Sequence, residues 1–229
     1  MVTDASMFDH SISESISRLV VAFVPVLLGI ILHEVAHGWV ALRRGDPTAW
    51  MLGRLTLNPV SHIDPMGMGM FAFTALFTPF VFGWAKPVPV NVRYFRNPRR
   101  DMLLVSAAGP LTNITLALLF GLALKLLLSF APHDFLLGSP VGKYFLEMFQ
   151  IGIIANFSLA FVNLVPLPPL DGGHILEGLL PRRLANAYSR IGRYGFLILV
   201  VLLASGMLSS VLTPLIRWSW NTTLTIYGL

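Results

Sequence analysis

From Leu19 to Leu42 the chain is apolar apart from a single charge, Glu34, which lies inside His33-Glu34-Val35-Ala36-His37. A run of this length and character reads as a membrane-crossing helix. A helix sets His33 and His37 one turn apart on the same face. That spacing lets two imidazoles ligate one zinc ion, with Glu34 beside them as a general base. The plainer reading is a pair of histidines hydrogen-bonded to their neighbours. Ionisable and polar groups are costly in a membrane span, and an apolar residue would be cheaper at each position. The pattern therefore points to a zinc hydrolase with its site inside the bilayer.

Composition agrees. Apolar residues make up 55% of the 229 residues and charged residues only 12%, against about 25% in a soluble domain. Mean hydropathy is +0.72. One integral-membrane domain over 1–229 is expected, with a core at 16–217 and a polar N-terminal segment at 1–15. The chain has no cysteine, so a metal must be held by His, Asp or Glu. Asp4, Asp9 and Glu14 precede any basic residue, unlike the n-region of a cleaved signal peptide, so the first apolar segment is expected to be retained. The net charge of +5 raises nucleic acid as a partner. The basic residues gather at the ends of apolar segments, however, which fits a lipid bilayer and not a nucleic acid.

Five apolar stretches stand out: about Ile16–Leu42, Pro65–Ala85, Met102–Leu124 continuing to Ala131, Tyr144–Val165, and Tyr194–Ile216. The expected fold is an all-α polytopic bundle of about four full spans, plus a re-entrant or fifth spanning segment at Pro65–Ala85. Leu55–Leu57 and Val88–Tyr94 alternate with a period of two, which predicts a small extended or β element near the cytoplasmic face. The other reading of these two is ordinary interfacial loops. Arg43 and Arg44, the group from Lys86 to Arg100, and the group from Arg182 to Arg193 would all be cytoplasmic by the positive-inside rule. That requires Pro65–Ala85 to enter and leave on one side, and it puts both termini outside.

Two histidines leave a catalytic zinc one protein ligand short. His62, Asp64, Glu147, Asp171, His174 and Glu177 are candidates. Asp171 follows the proline-broken Asn163-Leu164-Val165-Pro166-Leu167-Pro168-Pro169-Leu170, and Gly172 and Gly173 after it allow close backbone approach. Backbone unwound at membrane depth is tolerated where it lines a cavity. Asp171 would equally serve as the N-cap of a following helix.

His33-Glu34-Val35-Ala36-His37 with Leu170-Asp171-Gly172 resembles the site-2 protease family of intramembrane zinc metalloproteases, in its compact bacterial branch. Gly53–Pro59, Gly83–Asn91 and Gly109-Pro110-Leu111-Thr112-Asn113 support the resemblance, which covers about Leu32 to Leu180. No PDZ-like or CBS-like stretch is seen, nor a separate span before the motif helix. The resemblance implies that His33, His37 and Asp171 hold one zinc ion and that Glu34 is the base. Asn113 follows Gly109-Pro110, a pair expected to loosen the third span, and the resemblance implies that it lies near the site, where it would help stabilise the oxyanion. An interhelical hydrogen bond is the other reading of Asn113, and Asn156 and Asn163 would suit that part too.

The implied partner is a transmembrane or membrane-proximal protein segment, locally unwound and captured by strand addition at Val88–Tyr94. The implied location is the bacterial inner membrane, with the site toward the cytoplasm. Two other functions compete. A membrane zinc transporter or sensor would use His33, His37 and Asp171 but would give Glu34 no role as a base. A metallopeptidase with a glutamate third ligand would use Glu147 or Glu177.

Overall fold

A computed structural model of the chain describes residues 5–67, 69, 70, 73 and 85–229. The described residues are predominantly helical, and no strand occurs among them. Helix α1 (Ala5–Arg43) carries the two-histidine motif, so the helix begins within the polar N-terminal segment. A turn at Arg44–Pro47 leads to the short α2 (Thr48–Met51) and to a 3-10 turn at Pro59–His62. A second 3-10 turn, Val92–Tyr94, precedes α3 (Pro98–Phe130). The short α4 (His133–Gly138) leads to α5 (Pro140–Leu164), where Ser139 caps the Gly142 N–H. After the proline-rich break come α6 (Asp171–Leu179), α7 (Arg182–Ser189), α8 (Gly192–Ala204) and α9 (Met207–Tyr227).

Helices α1, α3 and α5 form the centre of the bundle, with α6 laid against α3. Ala117 and Leu124 of α3 meet Ile153 and Phe157 of α5 in one apolar core. Val20–Arg43, Pro98–Phe130 and Pro140–Leu164 are each long and apolar enough to cross a bilayer. Of their apolar windows only 28%, 33% and 33% is buried, so each turns most of that surface outward, as lipid-facing helices do. A fourth span arises if α7 and α8, bent by 62°, count as one. The chain is thus a multi-pass membrane protein, with three such helices, or four, among the described residues.

Three expectations change. The stretch Tyr194–Ile216 is not one helix: Gly206 takes a left-handed φ of +73° and separates α8 from α9. Gly109-Pro110 does not loosen its span, because α3 runs unbroken through Pro110. The extended element forms no ladder. Residues 85–91 are irregular and Val92–Tyr94 is a 3-10 turn. Proline at 87 and 89 removes two donors, and distant carboxylates take two others. Val88 N donates to Glu34 Oε2 at 2.7 Å, and Asn91 N to Asp46 Oδ2 at 2.6 Å. Leu55–Leu57 likewise pairs with no strand among the described residues.

The question of re-entry at Pro65–Ala85 falls mostly outside the described residues. Its two flanks are described and lie side by side. Lys86 N donates to His62 O at 2.9 Å, and Arg54 Nη2 donates to Lys86 O at 2.7 Å.

Candidate metal centre

Three helices build the site. Helix α1 presents His33 and His37 on one face, with the rings 4.6 Å apart and nearly perpendicular. The break after α5 ends at Asp171, the first residue of α6. Asp171 Oδ2 lies 3.1 Å from His33 Nε2 and 3.4 Å from His37 Nε2. It makes no side-chain cap bond; Leu170 holds the N-cap position. Among the described residues this is the one group of three or more metal-ligating side chains brought together.

The remaining ring nitrogens are fixed from α3. Asn113 Nδ2 donates to the backbone carbonyl of Gly29 at 3.1 Å and to Asn156 Oδ1 at 3.0 Å. A carbonyl only accepts, so the Asn113 amide has one orientation and its Oδ1 faces His33 Nδ1 at 2.6 Å. His33 Nδ1 must then carry the proton. His37 Nδ1 faces Val105 O at 2.7 Å and is protonated for the same reason. With both rings neutral, as metal-ligating imidazoles are, both Nε2 atoms present lone pairs to Asp171 Oδ2, a buried oxygen without a hydrogen-bond donor. Three electron pairs converging in a buried space are favourable only around a cation. Two imidazoles and one carboxylate suit zinc, with a position left for water.

Gly109 makes the room. A Cβ there would stand 2.5 Å from His33 Cε1 and from His37 Nε2. Sequence reading saw Gly109 only as a helix loosener. Glu34, half-buried on α1, faces the strap at residues 85–91 instead of the ring pair. The strap packs onto α1 at Gly38, where a Cβ would meet Leu55 and Val88 at 2.5 and 2.9 Å. Asp46, fully buried, and Arg54 anchor the strap's two ends. Asp46 drew no attention in the sequence, and Arg54 only as part of Gly53–Pro59; the signal was a charge just beyond the span, which normally stays solvated.

The other candidates lie elsewhere. His62 is buried with Nε2 on Thr56 O at 2.8 Å, and Asp64 accepts from Gly67 N. His174 and Glu177 pair with each other at 3.9 Å on α6. Glu147 is exposed on the first half of α5. Asn156 is buried in the Asn113 network, and Asn163 donates to Leu159 O within its own helix.

The profile of Peptidase family M50 matches residues 21–205, which include all three clustered side chains and the prolines before Asp171. The chain belongs to peptidase family M50. This is the site-2 protease family that its motifs resemble. The M50 chain is 38% identical over 205 residues to YwhC of Bacillus subtilis, covering 90% of each protein; YwhC is named provisionally as a zinc metalloprotease. Rip2 of Mycobacterium tuberculosis, named in the same way, is 32% identical over 198 residues, 85% of this chain and 71% of Rip2. MJ0611 of Methanocaldococcus jannaschii, also so named, is 29% identical over 168 residues, 71% of this chain and 72% of the relative. No solved structure matches this M50 member.

Proposed function

We propose that the chain is an intramembrane zinc metalloprotease that hydrolyses a peptide bond in or near a transmembrane segment of a membrane protein. One observation carries this: two imidazole Nε2 atoms and one carboxylate oxygen converge in a buried site on the helix that also carries Glu34. His33, His37 and Asp171 would hold zinc. When bound, zinc lowers the pKa of a coordinated water to about 7 and polarises the scissile carbonyl. Glu34 takes the proton of the attacking water and passes it to the leaving amine. Asn113 orients His33 and fixes its tautomer, the part that outer hydrogen-bond partners play around metal ligands. Its amide hydrogens go to Gly29 O and Asn156 Oδ1, which supports this positioning role beside the oxyanion role expected from the sequence.

Substrate capture falls to the non-helical strap at residues 85–91, whose Val88 N–H already meets Glu34. A strand docking there would compete for that contact. The whole chain acts as one integral-membrane domain in a bacterial inner membrane. Its site opens toward the cytoplasm, where the arginine-rich loops face.

Glu34→Gln tests the chemistry. Purified variant should keep zinc and lose cleavage of membrane substrates by about 10²–10⁴-fold, the usual worth of a general base. Loss of zinc from Glu34→Gln would make Glu34 a ligand or structural residue. A wild-type protein that binds zinc and cleaves nothing would favour the transporter or sensor.

A further inference from the structure

We propose that α7 and the turn after it form a docking surface for anionic lipid headgroups. Arg182, Arg183, Arg190 and Arg193 are all exposed. No acidic residue follows Glu177 anywhere in the chain. Glu177 itself pairs with His174 at 3.9 Å, and among the described residues no ion pair joins any of the four arginines.

The apolar side of the same segment is also uncovered. Leu184 on α7 and Ile191 in the turn after it are both exposed. On α7, Arg182 and Asn186 share the face roughly opposite Leu184, and Arg190 and Arg193 continue the basic run past the bend. Helix α7 is bent 62° from the apolar α8. With α8 entering the bilayer, α7 lies across its mouth, apolar stripe toward the acyl chains and arginines at headgroup level. An amphipathic helix with a basic face binds an interface in this way, and unpaired arginines select anionic headgroups.

The placement bears on the site. Pro181 joins α7 directly to α6, the helix that opens with Asp171. The last carbonyls of α6 are held from α3, with Arg99 Nη2 donating to Glu177 O, Gly178 O and Leu180 O. A headgroup-anchored α7 holds this same end of the short helix from the membrane side as well.

The test uses the full chain in nanodiscs of phosphatidylcholine alone or with added phosphatidylglycerol. Phosphatidylglycerol retention is read by mass spectrometry, and amide exchange is read over residues 182–193. Wild type should retain phosphatidylglycerol, and exchange in that segment should slow when it is present. Each arginine contributes about a fivefold factor to such binding. Arg182→Gln/Arg183→Gln and Arg190→Gln/Arg193→Gln should each lower retention about 25-fold on that scale. Lys143→Gln, at the start of α5, should leave it unchanged. Equal retention by wild type and both double variants, or exchange indifferent to phosphatidylglycerol, overturns the proposal.

Discussion

Asn113 Oδ1 lies 2.6 Å from His33 Nδ1, and this contact ties α3 to the motif helix at the metal centre. The bond is the end of a buried chain. Asn156 Nδ2 donates to Gly152 O at 2.9 Å, Asn156 Oδ1 accepts from Asn113 Nδ2, and Asn113 faces His33. Both amides are fully buried. Three helices thus share one polar network whose outcome is a single proton position on a single ring nitrogen.

Asn113→Ala should weaken zinc binding about 10- to 100-fold, the range for removing a ligand's hydrogen-bond partner. Competition with a chelator measures it. Zinc affinity at the wild-type level combined with lost cleavage would return Asn113 to the oxyanion.

Gly109→Ala should abolish zinc binding while leaving the fold largely intact. The added methyl would stand 2.5 Å from His37 Nε2, on the atom that must face the metal. Alanine is otherwise the better helix former by about 1 kcal/mol, so helicity should not fall. Metal content and circular dichroism of one preparation separate the two effects. A zinc-loaded Gly109→Ala protein would show that the ligand atoms point elsewhere.

Asp171→Ala should deplete zinc and end cleavage, whereas His174→Ala should do neither to a comparable degree. Both residues are on α6, one turn apart, but only Asp171 reaches the imidazoles; His174 faces Glu177. Metal analysis of both variants decides it, and zinc depletion in His174→Ala alone would reverse the assignment.

The long apolar helices and the shared face of His33 and His37 were legible because each rests on a local rule. Hydropathy marks the spans, and a four-residue spacing puts both histidines on one face. Asp171 was legible only through its motif, since nothing local tells a ligand from an N-cap. The strap was misread for a physical reason. Alternation at Val88–Tyr94 predicts a strand only when a partner strand supplies the hydrogen bonds. Here Glu34 and Asp46 supply them from far away in the chain. Gly109 was opaque because an absent side chain shows its purpose only against the rings it admits. The break at Gly206 lay inside a stretch whose hydropathy is continuous, so length and apolarity overrode a single glycine.

The last prediction concerns the sidedness of the two loops around Pro65–Ala85. His62 O accepts from Lys86 N at 2.9 Å, and Arg54 Nη2 reaches Lys86 O at 2.7 Å. Segments joined by hydrogen bonds cannot sit on opposite faces of a hydrocarbon layer about 30 Å thick. The chain between them should therefore leave and return on the same side, with Arg43–Asp64 and Lys86–Arg100 together in the cytoplasm. Arg44 and Asp101, paired at 3.5 Å, tie the two basic regions at a second point. The native chain has no cysteine, so single cysteines at Ser61 and Asn97 carry the only thiols. In oriented vesicles, an impermeant thiol reagent should label both from the cytoplasmic side and neither from the other. Labelling from opposite sides would require Pro65–Ala85 to cross the membrane and the His62–Lys86 contact to be absent from the native protein.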